Sequence, residues 1–258
     1  MSDFVIWSAP EEPYEDHIRH CLEVWHKIEY RVLLTLERLF DVSAEIVSNF
    51  TEATIVCHDI GKLTNPWQIY IHKPKAERKH GPPHATLGAP YLHGLFDEEV
   101  DNLRDAGAVA ILMHHVDSGI AHGNLEHPAE DAINRGLVEY GTDGFRWADG
   151  AKDAFSKSLK YVPQMKTSAK PLTSITLHSL EDIAKRLRLW ARCPKEIERH
   201  QHRLQALALH HILKICDWRA AAQRPTATPD EGEDGEVIKE EKWAKSIQSV
   251  HLDGGLLP

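Results

Sequence analysis

The sequence predicts an all-α fold. Apolar residues recur at three- and four-residue steps through several long stretches, the period of a helix with one buried stripe. Alternation at every second residue, the mark of a half-buried strand, is almost absent. Gly61 and Pro194 sit where helices should stop and start.

Residues 14–40 read as a long helix, with Ile18, Cys21, Val24, Ile28, Leu36 and Leu39 as its stripe. His17 lies one turn before Cys21 and so near the buried face. A second helix is expected over 43–59 on Ile46, Val47, Phe50, Ile55 and Val56, with His58 and Asp59 in its last turn. Residues 72–83, HKPKAERKHGPP, read as a loop. A short helix should start at 84, and a clearer one should cover 98–116 and end in His114-His115. Residues 141–173 read as an irregular insertion with at most one short helix. Helices follow over 179–192, where Ser179 and Asp182 have capping-box-like spacing, and over 194–222, running to Asp217. We expect one domain over 1–224, then an acidic, flexible tail over 225–258.

The 258 residues suffice for a sizeable core, and 42% hydrophobic with 27% charged residues is ordinary for a globular protein. The net charge of -9 argues against a general nucleic-acid coat protein. Cys21, Cys57, Cys193 and Cys216 form no CxxC pair and read as small buried hydrophobes in a reducing compartment. The acidic N-terminus lacks a signal-peptide layout, and no apolar run approaches the roughly 20 residues that span a bilayer. A soluble, cytoplasmic protein is the expectation. The 18 histidines are the outlier.

His17, His58-Asp59, His84, His114-His115 and Asp217 offer the imidazole and carboxylate donors that first-row divalent metals accept. A carboxylate shared between two such metals would give a device for hydrolysing phosphate esters. His20 competes with His17, and His80 and His93 compete with His84. His210-His211 precedes Asp217 by two helical turns, about 10 Å, too far to share a compact metal pair with it. Core packing is the better reading of that pair. The basic run Lys73, Lys75, Arg78 and Lys79 leads into His84 and reads as a solvated loop or as a lip that tracks phosphates. No GxxxxGK[ST] string occurs, so the chain is not its own ATP-driven helicase by that route.

The order of these residues resembles the HD superfamily of metal-dependent phosphohydrolases. More narrowly, HDIGKLTNPWQIYI at 58–71, HATLGA at 84–89, the double histidine and KICDWRA at 214–220 resemble the HD nuclease of type I CRISPR systems. YEDHIRHCLEV resembles that family's first-helix string, with His17 in the ligand position. The resemblance covers residues 14–222 and implies an HD-domain helical bundle.

By resemblance, His17, His58, Asp59 and Asp217 hold one metal. His84, His114 and His115, with Asp59 shared, hold a second. Lys62 would face the scissile phosphate. The family cleaves DNA, single strands above all, with manganese, nickel, cobalt, magnesium or iron. It works beside a CRISPR helicase, here a separate subunit, and the CRISPR surveillance complex. Two rivals stay open: a phosphohydrolase acting on nucleotides or cyclic nucleotides, and a degenerate HD domain used for assembly.

Overall fold

The computed structural model describes residues 5–78, 82, 84–95, 101–115, 146–166 and 169–224. Lys79, His80 and the tail over 225–258 lie outside them. Nine α-helices occur among the described residues, with one two-stranded hairpin.

The hairpin pairs β1 (Trp7–Ala9) with β2 (Glu12–Pro13), turning through Glu11 at φ 61°. It is too short for a period-two signal, so the sequence concealed it. Helix α1 (Tyr14–Phe40) starts with Glu15 and Asp16, which suit the positive end of the helix dipole. Its buried face carries Tyr14, His17, Ile18, Cys21, Leu22, Trp25, Leu36 and Phe40. Helix α2 (Ala44–Cys57) is capped by Ser43 and ends two residues earlier than the sequence suggests. His58 is therefore its C-cap, and Asp59 begins a 3-10 turn over Ile60–Leu63. Helix α3 (Asn65–Ile71) follows, unforeseen because it spans only two turns. The basic strap then contains one 3-10 turn, Lys75–Glu77.

Helices α4 (Ala85–His93) and α5 (Asp101–Met113) pack against each other, and α5 packs on the last helix. The 141–173 expectation needs correction. Its described part holds α6 (Ala151–Ser158), a 3-10 turn and α7 (Pro163–Lys166). Phe155, Leu159, Val162 and Met165 are buried in the common core. Each fully buried side chain of this size contributes about 1.5–3 kcal/mol. Their helical spacing is obscured by the intervening Ser156, Lys157, Ser158, Lys160 and Gln164. The segment also pairs Thr64 with Trp147, donating Ala148 N–H to Leu63 O at 3.0 Å.

Helix α8 (Leu177–Ala191) is capped reciprocally by Thr176 and Ser179, not by Ser179 and Asp182. Helix α9 (Glu196–Ala221) begins after Lys195, leaving Pro194 outside it. Cys21, Cys57 and Cys216 are buried, while Cys193 is half-buried and donates to Glu198 at 3.3 Å. No helix of the described residues is long and apolar enough to cross a membrane.

One ion network around the buried Asp105 ties α4, α5 and α8. Arg186 grips Asp105 with Nε at 2.6 Å and Nη2 at 2.9 Å, and His93 Nε2 stands 3.2 Å from the same carboxylate. Arg104 Nε donates to His93 O at 3.0 Å. Burial alone would raise the Asp105 carboxyl, but His93 and Arg186 hold it below its ordinary value. A depressed folded value means stability present above the unfolded value, about pH 4, and lost as pH falls through the folded one. Asp105→Asn should cost about 1–2 kcal/mol at neutral pH, since the half-exposed Arg186 can turn to solvent, and flatten this acid limb. Urea denaturation across the acid range checks both; an unchanged limb counts against the network.

Candidate metal centre

Five helix ends meet on one side of the bundle. The start of α1 brings His17, and the exit of α2 brings His58 and Asp59. His84 stands at the cap of α4, His114-His115 follow α5, and Asp217 lies near the end of α9. Close backbone approach makes this possible. A Cβ on Gly61 would lie 2.1 Å from His84 O, and one on Gly88 would lie 2.1 Å from Cys57 O. Only glycine lets the 58–63 turn touch the α4 start, and α4 touch the end of α2.

Seven donor residues expected from the sequence are brought together in two adjoining clusters. His17, His58 and Asp217 make the first, joined by Cys21; Asp59, His84, His114 and His115 make the second. Asp59 faces both. Its Oδ2 lies 3.2 Å from His17 Nε2 and 3.3 Å from His58 Nε2. Its Oδ1 lies 3.5 Å from His84 Nε2 and 3.8 Å from His114 Nε2. Asp217 Oδ1 lies 3.2 Å from His17 Nε2 and 3.9 Å from His58 Nε2.

The imidazoles are preset. His58 Nδ1 is 2.5 Å from Ile55 O and His114 Nδ1 is 2.6 Å from Ile111 O. These carbonyls belong to final helical turns, beyond the regular ladder, and Ile111 O also accepts the His114 N–H at 3.3 Å. Each ring donates Nδ1–H there and turns Nε2 inward. His84 Nε2 and His115 Nε2 approach to 2.6 Å, and His84 stands edge-on to Trp67.

The donor set fits metal ions. His58 Nε2, Asp59 Oδ1 and His114 Nε2 are buried without a hydrogen-bond partner, an arrangement that costs free energy unless a cation is supplied. Without one, the clusters differ in electrostatics. Burial opposes charge on His58, yet Asp59 and Asp217 raise it to about 10. Burial, then His115 and Lys62, push His84 well below its ordinary value, and burial and His115 do the same to His114. Asp59 and Asp217 resist burial's upward push because His58, His17 and, for Asp59, Lys62 hold them low.

Among the competing histidines, His20 lies outside the clusters beside Arg19, and His93 serves Asp105. His210 stands 3.0 Å from Met113 O, bracing the residue before His114. Lys62 lies at the centre itself. Its Nζ lies 2.7 Å from Asp59 Oδ2 and 3.2 Å from Ser8 Oγ, nearly buried, because an adjacent buried carboxylate attracts it more than solvent does. Lys73 and Lys75 are exposed and Arg78 is half-buried on the strap between α3 and α4.

Sequence reasoning missed three contributors. Cys21 Sγ is 3.7 Å from His17 Nε2; its position four residues after His17 was the available signal. Ser8 and Glu12 come from the hairpin, whose docking no local pattern announces.

Fold and site together define a helical domain of the HD type, closed around paired His/Asp clusters suited to metal binding. The family model described as Cas3, HD domain matches residues 15–225, and the chain belongs to that family. It is 29% identical over 152 residues to a CRISPR-associated endonuclease Cas3-HD from Methanocaldococcus jannaschii, covering 56% of this chain and 60% of that protein. The chain thus matches less than two thirds of that relative's length. The structure of the CRISPR-associated Cas3 HD domain protein from Methanocaldococcus jannaschii shares the fold, with a TM-score of 0.60 at 17% identity over 81% of this chain and 99% of that one.

Proposed function

We propose that the chain is a metal-dependent deoxyribonuclease that hydrolyses phosphodiester bonds, single-stranded DNA above all, in CRISPR interference. It would act beside a CRISPR helicase and the surveillance complex that exposes a displaced strand. The carrying observation is Asp59, whose two oxygens face two different donor clusters. In this reading His17, His58 and Asp217 hold one divalent ion, and His84, His114 and His115 hold the other, with Asp59 between them. When bound, two divalent ions supply Lewis acidity and neutralise charge for in-line displacement at phosphorus. The chain's own residues fix donor positions in advance: buried rings with committed Nδ1–H groups need little reordering. Lys62 adds a fixed positive charge beside Asp59. Lys73, Lys75 and Arg78, with Lys79 next in sequence, would offer cations to a phosphate backbone. No serine or cysteine nucleophile is required.

The test is a substrate panel with Mn, Ni, Co, Mg or Fe(II), each against EDTA. Single-stranded DNA should be cut with metal and spared with chelator. Preferential turnover of free or cyclic nucleotides would replace this reading with the small-molecule one. Absence of both activities, together with no bound metal, would favour an assembly module.

A further inference from the structure

We propose that Glu12, clamped by Arg224, is the positioning residue that aims His17 into the first cluster. The inference rests on the reading that His17 holds a metal. His58 and His114 follow helix C-termini, where last-turn backbone carbonyls outside the regular ladder take their Nδ1–H. His17 sits in the first turns of α1, where carbonyls are committed to the helix ladder. It needs an acceptor from elsewhere, and the hairpin supplies one. Glu12 Oε1 lies 3.3 Å from His17 Nδ1, and the Glu12 side chain is only 4% exposed. Its second oxygen accepts from Arg224 Nε at 2.8 Å. Glu12 is itself held by pairing with Ala9 across the hairpin.

The clamp has two consequences. With Nδ1–H donated to Glu12, the lone pair for a metal is at Nε2, the atom 3.2 Å from both Asp59 Oδ2 and Asp217 Oδ1. Arg224 lies seven residues beyond Asp217, so the same carboxylate also ties the end of α9 to the hairpin. Glu12 thereby registers two donors of one cluster, His17 and Asp217, against each other. The second cluster makes no use of it.

Co(II) titration of the full chain, read by competition with a chromophoric chelator, tests this. Wild type should show two binding transitions. Glu12→Ala should weaken one of them about 10- to 100-fold and leave the other within about threefold. The weakened transition should be the one that Asp217→Ala removes. Arg224→Gln should move the same transition by less. Should Glu12→Ala fail to fold, Glu12→Gln carries the same criteria, because its amide offers one acceptor to two donors. Two unchanged transitions, or equal loss of both at an unchanged melting temperature, would overturn the assignment. A wild-type chain that takes up no Co(II) instead overturns the metal-centre reading beneath it.

Discussion

Replacing Asp59 with alanine is expected to abolish metal-dependent cleavage of single-stranded DNA, by about a thousandfold or more. The size follows from position. Among the described residues, Asp59 is the one carboxylate whose two oxygens reach both clusters, at 3.2–3.3 Å on one side and 3.5–3.8 Å on the other. Without it, each cluster loses an anionic donor and the two lose their common member. Metal content should fall with activity. The fold should persist at a cost of about 3 kcal/mol, because Lys62 keeps its buried ammonium but loses the carboxylate at 2.7 Å. Asp59→Asn keeps the volume and separates charge from shape; it should be nearly as inactive and less destabilised. Single-turnover cleavage, metal analysis and circular dichroism decide the matter. Full cleavage by either variant would sink the proposed function.

Gly61→Ala should be among the most damaging single-methyl additions in the described residues, and the one that strikes the site directly. The new Cβ would sit 2.1 Å from His84 O, 2.4 Å from its Cα and 2.6 Å from its carbonyl carbon. These are backbone atoms, so no rotamer change relieves the clash. Either the 58–63 turn or the start of α4 must move, at about 3 kcal/mol or more. For a chain of this size that corresponds to a melting-temperature drop of roughly 6–12 °C. His84 should be displaced with its backbone, so the second cluster should lose metal affinity more than the first. Gly94→Ala is the control, since its nearest neighbour would be 3.4 Å away. A Gly61→Ala chain that melts with wild type and binds two metals would show that this approach is not required.

Much of this architecture was legible beforehand. The long helices α1 and α9 follow from apolar residues at helical spacing, and tertiary packing had only to adjust their ends. Helix α3 and the hairpin were not legible, being shorter than the window over which periodicity speaks. The 141–173 segment misled for a different reason. Its core residues Phe155, Leu159 and Val162 have helical spacing, but the polar residues between them lower the local apolar content. Residue choice at the site was legible where chemistry is rare in sequence, as in His58-Asp59 and His114-His115. It was not legible where a common residue acts through a distant contact, as Ser8 and Glu12 do.

The sequence by itself determined the helical class and the order along the chain of the imidazole and carboxylate residues that the fold draws together. It did so because helix periodicity is local and because clustered imidazole and carboxylate donors are costly to keep without a use. Only the tertiary structure decided that Asp59 lies between two clusters, that Lys62 turns inward, that Cys21 joins the first cluster and that a hairpin carboxylate stands behind His17. Those facts depend on distances between residues far apart in the chain, and such distances are set by how helix faces and glycine contacts close the core, which no local pattern encodes.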